Sequence, residues 1–263
     1  MHLVGDHGQV LLAIDVGNTN TDIGLFADDR LEISYRTQTD SRATADEIAL
    51  TFRGLLAGDP PVTGVAVCST VPAVLRELRA MLTRYYPDVP TVVVEPGVKT
   101  GVGVLTDNPK EVGSDRIMNT LAAHHLYGGP SIVVDFGTST NFDVVSAKGE
   151  FLGGALAAGI EISVEALAAR AAQLRKVELV KPRSVIGKNT VEALQSGTVY
   201  GFAGQVDGLV ERITAELGGS VNAVIATGGL SKVVRDQSST LTAHEPALTL
   251  IGLRLVYEKN QSE

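Results

Sequence analysis

The sequence predicts an α/β fold made of two duplicated domains, each a mixed sheet with helices. A pattern of apolar residues, Asp, any residue and Gly occurs at residues 11–26 and again at 132–145. In both places a polar turn joins two short apolar runs, which indicates a pair of strands. The composition agrees, because the hydrophobic fraction is 44% while aromatic residues are only 5% and Trp is absent. A core of Val, Leu, Ile and Ala is typical of layered α/β folds.

The first half has the pattern of a three-stranded meander followed by alternating helices and strands. Apolar runs separated by the polar turns VGNTN and ADDR predict the strands of the meander. A capping box from Thr44 to Glu47 marks the start of the first helix, and Pro72 suits the first turn of the second. The predicted strands are 9–15, 21–26, 31–38, 62–70 and 91–96, and the second helix spans 72–86.

The second half repeats this order and contains extra residues. The interval between its third and fourth strands is longer than the corresponding interval in the first half, which predicts an inserted helical segment near 160–197. We expect an N-terminal domain of residues 1–115 and a C-terminal domain of residues 116–263, with Ser114 as the N-cap of a helix that links them. The predicted strands of this half are 131–135, 141–146, 151–156 and 221–226.

Charge and cysteine content narrow the classes of function. The net charge is −8 and the pI is near 5.2, so the sequence has no basic patch for nucleic acid. The single cysteine, Cys68, lies in an apolar strand and is predicted to be a small buried residue in a reducing compartment. No apolar run reaches the ~18–20 residues of a membrane span, and the first residues do not resemble a signal peptide. We therefore expect a cytoplasmic protein that binds neither nucleic acid nor membrane.

The repeated Asp-x-Gly turn suits the chemistry of phosphate and magnesium. An Asp at a strand end directs its carboxylate toward the following turn, and a Gly lets backbone N–H groups approach a ligand closely. Two facing copies would clamp one polyphosphate with its Mg²⁺. Each copy alone is also explained by an ordinary Asx or Gly turn, but two copies in duplicated halves favour a phosphate site. Neither a G-x-x-x-x-G-K-[ST] loop nor a helix-opening G-x-G-x-x-G is present.

Seven motifs in a fixed order resemble the type III pantothenate kinases, within the superfamily of actin, Hsp70 and sugar kinases. They cover nearly the whole chain. The resemblance implies two actin/Hsp70-like (ribonuclease H-like) domains with the active cleft between them. It also implies ATP-dependent phosphorylation of the primary hydroxyl of pantothenate, the first step of coenzyme A biosynthesis. The motifs are DVGNTNTD (15–22), DNPKEVGSDR (107–116), DFGTST (135–140), FLGGALAAG (151–159), AQLRKVEL (172–179), IGKNT (186–190) and ATGG (226–229).

The resemblance also implies roles for individual residues. Asp115 would accept the proton of the pantothenate hydroxyl, Asp135 would help to hold K⁺ or NH₄⁺, and Asp15 would act indirectly on Mg²⁺. Apart from the resemblance, Gly228 and Gly229 after a predicted strand would let adenine approach the backbone, although an ordinary strand-to-helix turn explains them as well. ATP would contact Asp15, Val16, Gly17, Asn18, Thr19, Asn20, Thr21, Asp22 and Thr138. Pantothenate would contact Gly113, Ser114, Asp115, Arg116, Thr190 and Thr106.

Electrostatics independently supports a substrate site at Asp115 and Arg116. A cationic side chain beside a helix N-terminus can bind the carboxylate of pantothenate. The same helix end predicts a lowered pKa for Asp115, which would keep this residue ionised as an acceptor. The alternative is a salt bridge at the start of the helix. Several positions depart from the family pattern, since Thr106 replaces a Tyr, Ala158 replaces a Pro, and the second turn has the small polar residues Ser139 and Asn141.

The sequence allows other functions for the same fold. One is a non-catalytic, transcription-related accessory protein of the same family, which would need a protein partner. Another is a kinase for a different small hydroxy acid or for a sugar, since a fold alone does not define a substrate. The joint presence of Asp15, Asp115, Arg116, Asp135 and Thr190 argues against a non-catalytic protein. Asp115 with Arg116 favours an anionic acceptor over a neutral sugar. We also expect a homodimer through the Ala-rich helix at 166–174, whose small residues allow close packing.

Overall fold

The computed structural model describes residues 8–170 and 177–261, and these ranges contain ten strands and seven α-helices. Within them, no helix is both long enough and apolar enough to cross a membrane. The strands are β1 (Val10–Val16), β2 (Asn20–Ala27), β3 (Arg30–Gln38), β4 (Gly64–Ser69), β5 (Thr91–Val93), β6 (Ser131–Phe136), β7 (Ser139–Val145), β8 (Phe151–Ala158), β9 (Ala223–Thr227) and β10 (Ala243–His244). The helices are α1 (Ala45–Leu55), α2 (Pro72–Tyr85), α3 (Ser114–Tyr127), α4 (Ile160–Arg170), α5 (Thr190–Glu216), α6 (Ser231–Arg235) and α7 (Leu248–Gln261).

The strands form two five-stranded sheets with the same topological order. The first sheet has the order β3-β2-β1-β4-β5, and the second has the order β8-β7-β6-β9-β10. In each sheet an antiparallel meander of three strands continues into two parallel strands, so both sheets are mixed. The predicted fold class of two duplicated mixed sheets with helices is confirmed.

The chain divides into two compact units, each of which contains one sheet. Unit 1 holds the described parts of Met1–Gly101, Lys110–Ala122 and Thr249–Glu263. Unit 2 holds Val102–Pro109 and the described part of Ala123–Leu248. Helix α3 therefore begins in unit 1 and ends in unit 2, while α7 belongs to unit 1 apart from its first residue. The division of the chain at residue 115 stays a sequence-based prediction.

One face of the unit 1 sheet packs against α1 and α2. Both helices begin as the sequence predicts, because Thr44 and Glu47 form a capping box and Pro72 lies in the first turn of α2. Their apolar faces meet alternate strand residues, and burial of these side chains stabilises the unit. Members of this buried cluster include Leu12, Ile14, Ile23, Val67, Phe52, Leu78 and Met81.

The opposite face of this sheet packs against α7, a helix that the sequence patterns did not predict. A Cβ on Gly64 would collide with the ring of Tyr257, and a Cβ on Gly24 would lie 3.0 Å from Leu250. These two glycines therefore leave space for the helix. Asp15 lies on this face, because the residues on either side of it belong to the core formed with α1 and α2.

One face of the unit 2 sheet packs mainly against the long helix α5. The insertion predicted near 160–197 supplies α4 and the start of α5, and residues 171–176 lie outside the described residues. Ile160 of α4 and Val234 of α6 complete the same core. Its other buried members include Ile132, Val134, Phe136, Phe142, Ala203, Val206 and Val224.

Asp207 in α5 anchors the turn at residues 238–240. The Ser238 and Thr240 hydroxyls donate to Asp207 Oδ1 at 2.6 and 2.8 Å. The Ser239 N–H and hydroxyl donate to Oδ2 at 3.0 and 2.9 Å. Burial alone would raise the pKa of Asp207, but these hydrogen bonds outweigh burial and lower the pKa to about 2. The fold therefore stabilises the ionised carboxylate.

We expect Asp207→Asn to lower the free energy of unfolding at pH 7 by about 1 kcal/mol, because the partial exposure of this carboxylate screens its interactions. Because the pKa of the folded form lies below that of the unfolded chain, this stability is present above about pH 4 and is lost as the pH falls toward about 2. Urea denaturation at pH 7 and pH 3 measures the difference, with the exposed Asp88→Asn as a matched control. Equal stability of Asp207→Asn and the wild type at pH 7 would contradict this assignment.

Candidate active site

The turn after β1 brings a carboxylate to the end of the first sheet. Asp15 is paired across the sheet with Asp22 in β2 and with Cys68 in β4. The Gly17 N–H donates to the Asn20 carbonyl at 3.0 Å, which closes the turn. A Cβ on Gly17 would lie only 3.1 Å from the same carbonyl oxygen, so this turn favours glycine.

The predicted ATP contacts in this turn differ in exposure. Asn18 and Thr19 lie at the exposed tip, where a ligand can reach their side chains and backbone. Val16 and Thr21 are buried, and the Thr21 hydroxyl is 2.9 Å from the hydroxyl of Thr39. Only the tip of the turn is therefore suited to direct side-chain contacts with phosphate.

Asp22 is held by an arginine that sequence reasoning missed. Arg36 Nε and Nη2 donate to the two Asp22 carboxylate oxygens at 2.7 and 2.9 Å. Arg36 lies opposite Asp22 in the β2–β3 register, which is the signal that identifies this partner. The ion pair compensates the negative charge of Asp22 beside Asp15, since like charges directly opposite in a sheet repel.

Cys68 supports Asp15 from the neighbouring strand. Its Sγ–H donates to Asp15 Oδ1 at 3.2 Å, and the side chain is buried as predicted. Burial, followed by the carboxylates of Asp15 and Asp115, raises the pKa of Cys68 well above the ordinary thiol value. The thiol therefore stays protonated and acts as a donor rather than as a nucleophile. Asp15 is paired with Cys68 in β4, and Ser114 is hydrogen-bonded to the next β4 residue, Ser69, so Asp15 and Asp115 lie near the same end of the unit 1 sheet.

Helix α3 begins at this end of the sheet with the GSDR motif. The Ser114 hydroxyl donates to the Ser69 carbonyl at 3.4 Å, which ties the helix to the end of β4. The Gly113 carbonyl accepts the Ile117 N–H at 3.3 Å, and α3 starts at Ser114. The predicted N-cap at Ser114 is therefore wrong by one residue, because Gly113 occupies that position. A Cβ on Gly113 would collide with Asp115 Oδ1, so this glycine leaves the carboxylate its space.

The Asp115 side chain is half-buried at this helix end. Its Oδ1 atom is inaccessible to solvent and has no hydrogen-bond partner among the described residues. Burial raises the pKa of Asp115 and outweighs the opposing effects of the Arg116 N–H and the Arg116 charge. The prediction of a lowered pKa is therefore wrong, because the sequence reveals the helix end but not the burial. A buried carboxylate with a raised pKa is typical of a proton acceptor in an active site.

The corresponding turn of unit 2 places Asp135 at the end of β6. Asp135 is paired with Asn141 in β7 and with Thr227 in β9. These partners occupy the positions that Asp22 and Cys68 have in unit 1. The second hairpin is one residue shorter between the paired positions, so the two turns share their topology but differ in length.

Two glycines let oxygen atoms crowd together at the end of β6. A Cβ on Gly159 would collide with the Thr138 carbonyl, which accepts the Gly159 N–H at 3.1 Å. Gly228 has a φ of +86°, and a Cβ there would lie 2.5 Å from Asp135 Oδ1 and 2.6 Å from the Phe136 carbonyl oxygen. A carboxylate and a backbone carbonyl therefore converge beside the Gly228 turn.

The atoms at the two turns that could coordinate a cation are oxygens, which suit hard cations. No cluster of three or more His, Cys, Asp or Glu side chains that could hold a metal ion occurs in residues 8–170 and 177–261. Magnesium in kinases is commonly bound by one or two carboxylates together with water and substrate phosphates, a pattern that Asp15 fits. Carboxylate and carbonyl oxygens such as those of Asp135 and Phe136 also suit a monovalent cation.

Thr106 and Thr190, the remaining predicted substrate contacts, both belong to unit 2. Thr106 lies beside Gly153, and its Oγ1 atom is buried without a hydrogen-bond partner in the described part of the chain. Thr190 is the exposed first residue of α5, and it lines a cavity of about 420 Å³ beside α4. The cavity lining is mostly apolar and includes Val164, Leu167, Ala193, Leu194 and Phe202.

Two mixed sheets of one topological order, each with an Asp at the end of its first strand, define a duplicated α/β fold. The ROK hexokinase from Thermus thermophilus is 15% identical to this chain with a TM-score of 0.51, over 96% of this chain and 99% of its own. A protein from Campylobacter jejuni described as a Baf family transcriptional activator is 16% identical with a TM-score of 0.60, over 96% of this chain and 100% of its own. Both similarities concern the fold alone.

Sequence comparison identifies the family. The model of the type III pantothenate kinase family matches residues 11–212. A type III pantothenate kinase from Frankia alni is 70% identical over 251 residues, which are 95% of this chain and 100% of that protein. The chain therefore belongs to the type III pantothenate kinase family, as its motifs predict, and it is a kinase.

Proposed function

We propose that the protein transfers the γ-phosphoryl group of ATP to the primary hydroxyl of pantothenate, which yields 4′-phosphopantothenate and ADP. This reaction is the first step of coenzyme A biosynthesis. The observation that carries the proposal is the half-buried Asp115 carboxylate, with an inaccessible Oδ1 atom, next to the cationic Arg116 at the start of α3. Pantothenate has an alcohol to be deprotonated and a carboxylate to be bound, and this helix end offers a group for each.

Asp115 is the proposed proton acceptor. The pantothenate oxygen forms its bond to the γ-phosphorus while the bond from that phosphorus to the β–γ bridging oxygen breaks. The bridging electron pair leaves with ADP, and the hydroxyl proton moves to the Asp115 carboxylate. Phosphoryl transfer depends mainly on positioning and charge neutralisation, so the carboxylate also orients the attacking hydroxyl.

The substrate carboxylate is proposed to bind at the N-terminus of α3. Backbone N–H groups at a helix start and an adjacent guanidinium both attract an anion. Gly113, Ser114 and Arg116 are the proposed contacts here, and Thr106 and Thr190 are proposed to contact other parts of pantothenate. The buried Oγ1 of Thr106, which lacks a partner among the described residues, supports a role in hydrogen bonding to substrate.

ATP is proposed to contact the turn at residues 15–22 and Thr138, with its adenine against the backbone of the Gly228–Gly229 turn. The exposed tip of that turn supports phosphate binding by its backbone and side chains. Asp15 would hold Mg²⁺ through water, and Asp135 would hold K⁺ or NH₄⁺. When bound, these cations would neutralise the phosphate charge and so favour phosphoryl transfer.

We also propose that the enzyme is a cytoplasmic homodimer. The segment from β8 to the start of α5 exposes large apolar side chains, which a second copy would remove from water. Of the predicted contact helix at 166–174, residues 171–174 lie outside the described residues. The exposed side chains include Leu156 (70% exposed), Ile162, Leu167, Val185, Ile186 (71% exposed) and Val191.

Coupled ADP release with a panel of acceptors tests the proposed function. We expect turnover with pantothenate, stimulated by K⁺ or NH₄⁺ over Na⁺, slower turnover with pantothenol, which lacks the carboxylate, and none with glucose. No ADP release above background with pantothenate in either K⁺ or NH₄⁺ would overturn the proposal. Turnover with another acceptor alone would identify a different kinase, and none with any acceptor would favour the accessory role.

A further inference from the structure

Three side chains in unit 2 form a continuous series of hydrogen bonds, the hydrogen-bond chain, that ends at the turn after β9. Arg235 Nη1 lies 3.2 Å from His244 Nδ1, and His244 Nε2 lies 2.9 Å from Ser231 Oγ. The Ser231 hydroxyl donates to the Gly228 carbonyl at 2.8 Å. Ser231 is only 1% exposed and His244 is half-buried, so the chain is largely protected from water.

The direction of this hydrogen-bond chain follows from its donors. Arg235 can only donate, so His244 Nδ1 carries a lone pair and Nε2 carries the proton. Nε2–H then donates to Ser231 Oγ, whose own hydrogen goes to the Gly228 carbonyl. Burial, followed by the charges of Arg235 and Lys232, lowers the pKa of His244, which favours this neutral form.

The Ser231–His244 pair is not arranged as a hydrolytic dyad. A nucleophilic serine gives its hydrogen to the histidine, whereas Ser231 gives its hydrogen to a backbone carbonyl. A catalytic histidine is oriented by a carboxylate, whereas His244 Nδ1 faces the Arg235 guanidinium. The pair instead fixes the position of a main-chain turn.

That turn is packed closely on the end of β6. Gly228 adopts a φ of +86°, and its Cα is so close to Asp135 Oδ1 and the Phe136 carbonyl that no side chain fits. The Leu230 N–H donates to the Phe136 carbonyl at 3.4 Å from the other side of the turn. Gly229 is exposed, so its backbone is open to a ligand. A shift of the turn would therefore displace the exposed Gly229 backbone.

We propose that Ser231 and His244 are positioning residues for nucleotide binding, because they lock the Gly228–Gly229 turn in the orientation that contacts ATP. The inference rests on the proposed function, in which this turn approaches the nucleotide and Asp135 lies in the same site. Neither residue touches the reacting atoms. Their loss should therefore weaken ATP binding and leave the phosphoryl-transfer step intact.

The test compares Ser231→Ala and His244→Ala with the wild type in kinetics and in direct binding. Each variant should raise the KM for ATP and the Kd for AMPPNP, a non-hydrolysable ATP analogue, by about fivefold, the effect of one lost hydrogen bond. The kcat and the KM for pantothenate should change less than twofold. The double variant should resemble the single ones, since both break the same chain. His244→Gln, whose amide can replace the Nε2 donor, should restore nearly wild-type values.

A pH profile provides a second readout. Protonation of His244 would direct an N–H at the Arg235 guanidinium and break the chain. Lys232 opposes this protonation together with Arg235, whereas Asp236 and Glu245 favour it. The KM for ATP of the wild type should therefore rise more steeply below about pH 6 than that of His244→Gln, which has no titrating ring.

Thr242→Val is the matched control for these variants. The Thr242 hydroxyl accepts the Val224 N–H at 2.9 Å, so the substitution removes a hydrogen bond between β9 and the residue before β10, away from the turn. It should lower the Tm without changing the Kd for AMPPNP. Ser231→Ala and His244→Ala with wild-type AMPPNP affinity, or with only a lowered Tm as in Thr242→Val, would overturn the inference.

The outcomes separate this inference from the proposed function. A wild type that binds AMPPNP but does not phosphorylate pantothenate would overturn the proposed function, and the AMPPNP affinities of the variants would still decide the inference. A wild type that phosphorylates pantothenate while the variants keep its ATP affinity would overturn the inference alone. If both alanine variants fail to fold, the KM for ATP still decides the inference. An identical pH dependence of this KM in His244→Gln and in the wild type would overturn the inference.

Discussion

Asp115→Asn is expected to lower the kcat for pantothenate phosphorylation by about 10²–10⁴-fold while the fold is retained. The amide keeps the shape of the side chain but cannot accept the hydroxyl proton at the buried Oδ1 position. Steady-state ADP release measures the kcat, and circular dichroism checks the fold. The exposed Asp88→Asn should keep the wild-type rate.

The same substitution tests the raised pKa of Asp115. Because the pKa of the folded form lies above that of the unfolded chain, the protonated form stabilises the fold; this stability is present below about pH 4 and is lost as the pH rises through the folded pKa. Asp115→Asn cannot ionise, so it should be at least as stable as the wild type at pH 8. The wild-type kcat should fall on the acid side as Asp115 gains a proton. A kcat within threefold of the wild type would remove Asp115 as the acceptor.

Gly252→Ala is expected to lower the free energy of unfolding by about 1–3 kcal/mol, since a methyl group has no space between α7 and α3. A Cβ at this position would lie 2.7 Å from the Met118 carbonyl carbon and 2.8 Å from its Cα, so main chain rather than a side-chain tip would have to move. Thr249 and Asn119 join the same helices through a hydrogen bond of 2.8 Å. Because Met118 lies one turn from Asp115, the kcat should fall as well.

The matched control for Gly252→Ala is Gly204→Ala in α5. A Cβ on Gly204 would have no atom within 4 Å, so alanine should stabilise this helix by roughly 0.5–1 kcal/mol. Thermal unfolding of the two variants should therefore shift in opposite directions. An unchanged or raised Tm for Gly252→Ala would contradict the close contact of α7 with α3.

Local patterns were sufficient to predict the strands β1 to β9 and the two turns, but not the two-residue strand β10. Strands of Val, Leu and Ile that end in Asp-x-Gly are visible in a short window, and two such windows at Asp15 and Asp135 predict the duplication. The capping box at Thr44 and the proline at position 72 depend on residues only a few positions apart, so they also locate helix starts correctly.

The C-terminal helix α7 was missed because it is apolar on more than one side. Leu250 and Tyr257 face the sheet, whereas Gly252 faces α3, so no single polar face produces a helical period. The duplication itself contains the missing signal. Helix α3 follows β5 in the first half, and α7 follows β10 at the equivalent place in the second.

Contacts between distant residues in the site could not be predicted from the sequence. The Arg36–Asp22 pair depends on the register of β2 and β3, and the Ser231–His244 pair depends on a two-residue strand beside β9. The burial of Asp115 depends on how α3 meets the end of β4. The spacing of residues in the sequence therefore identified the candidate chemical groups. Their protonation states and hydrogen-bond partners depend on contacts that only the folded structure shows.

The identity of the product formed from ATP and pantothenate tests the central claim most directly. ³¹P NMR should detect a phosphomonoester coupled to the methylene protons of the primary alcohol, with one ADP formed for each ester. Mass spectrometry should find the mass of 4′-phosphopantothenate. ATP hydrolysis to inorganic phosphate without an ester, or no reaction of ATP at all, would contradict the assignment of this protein as a pantothenate kinase.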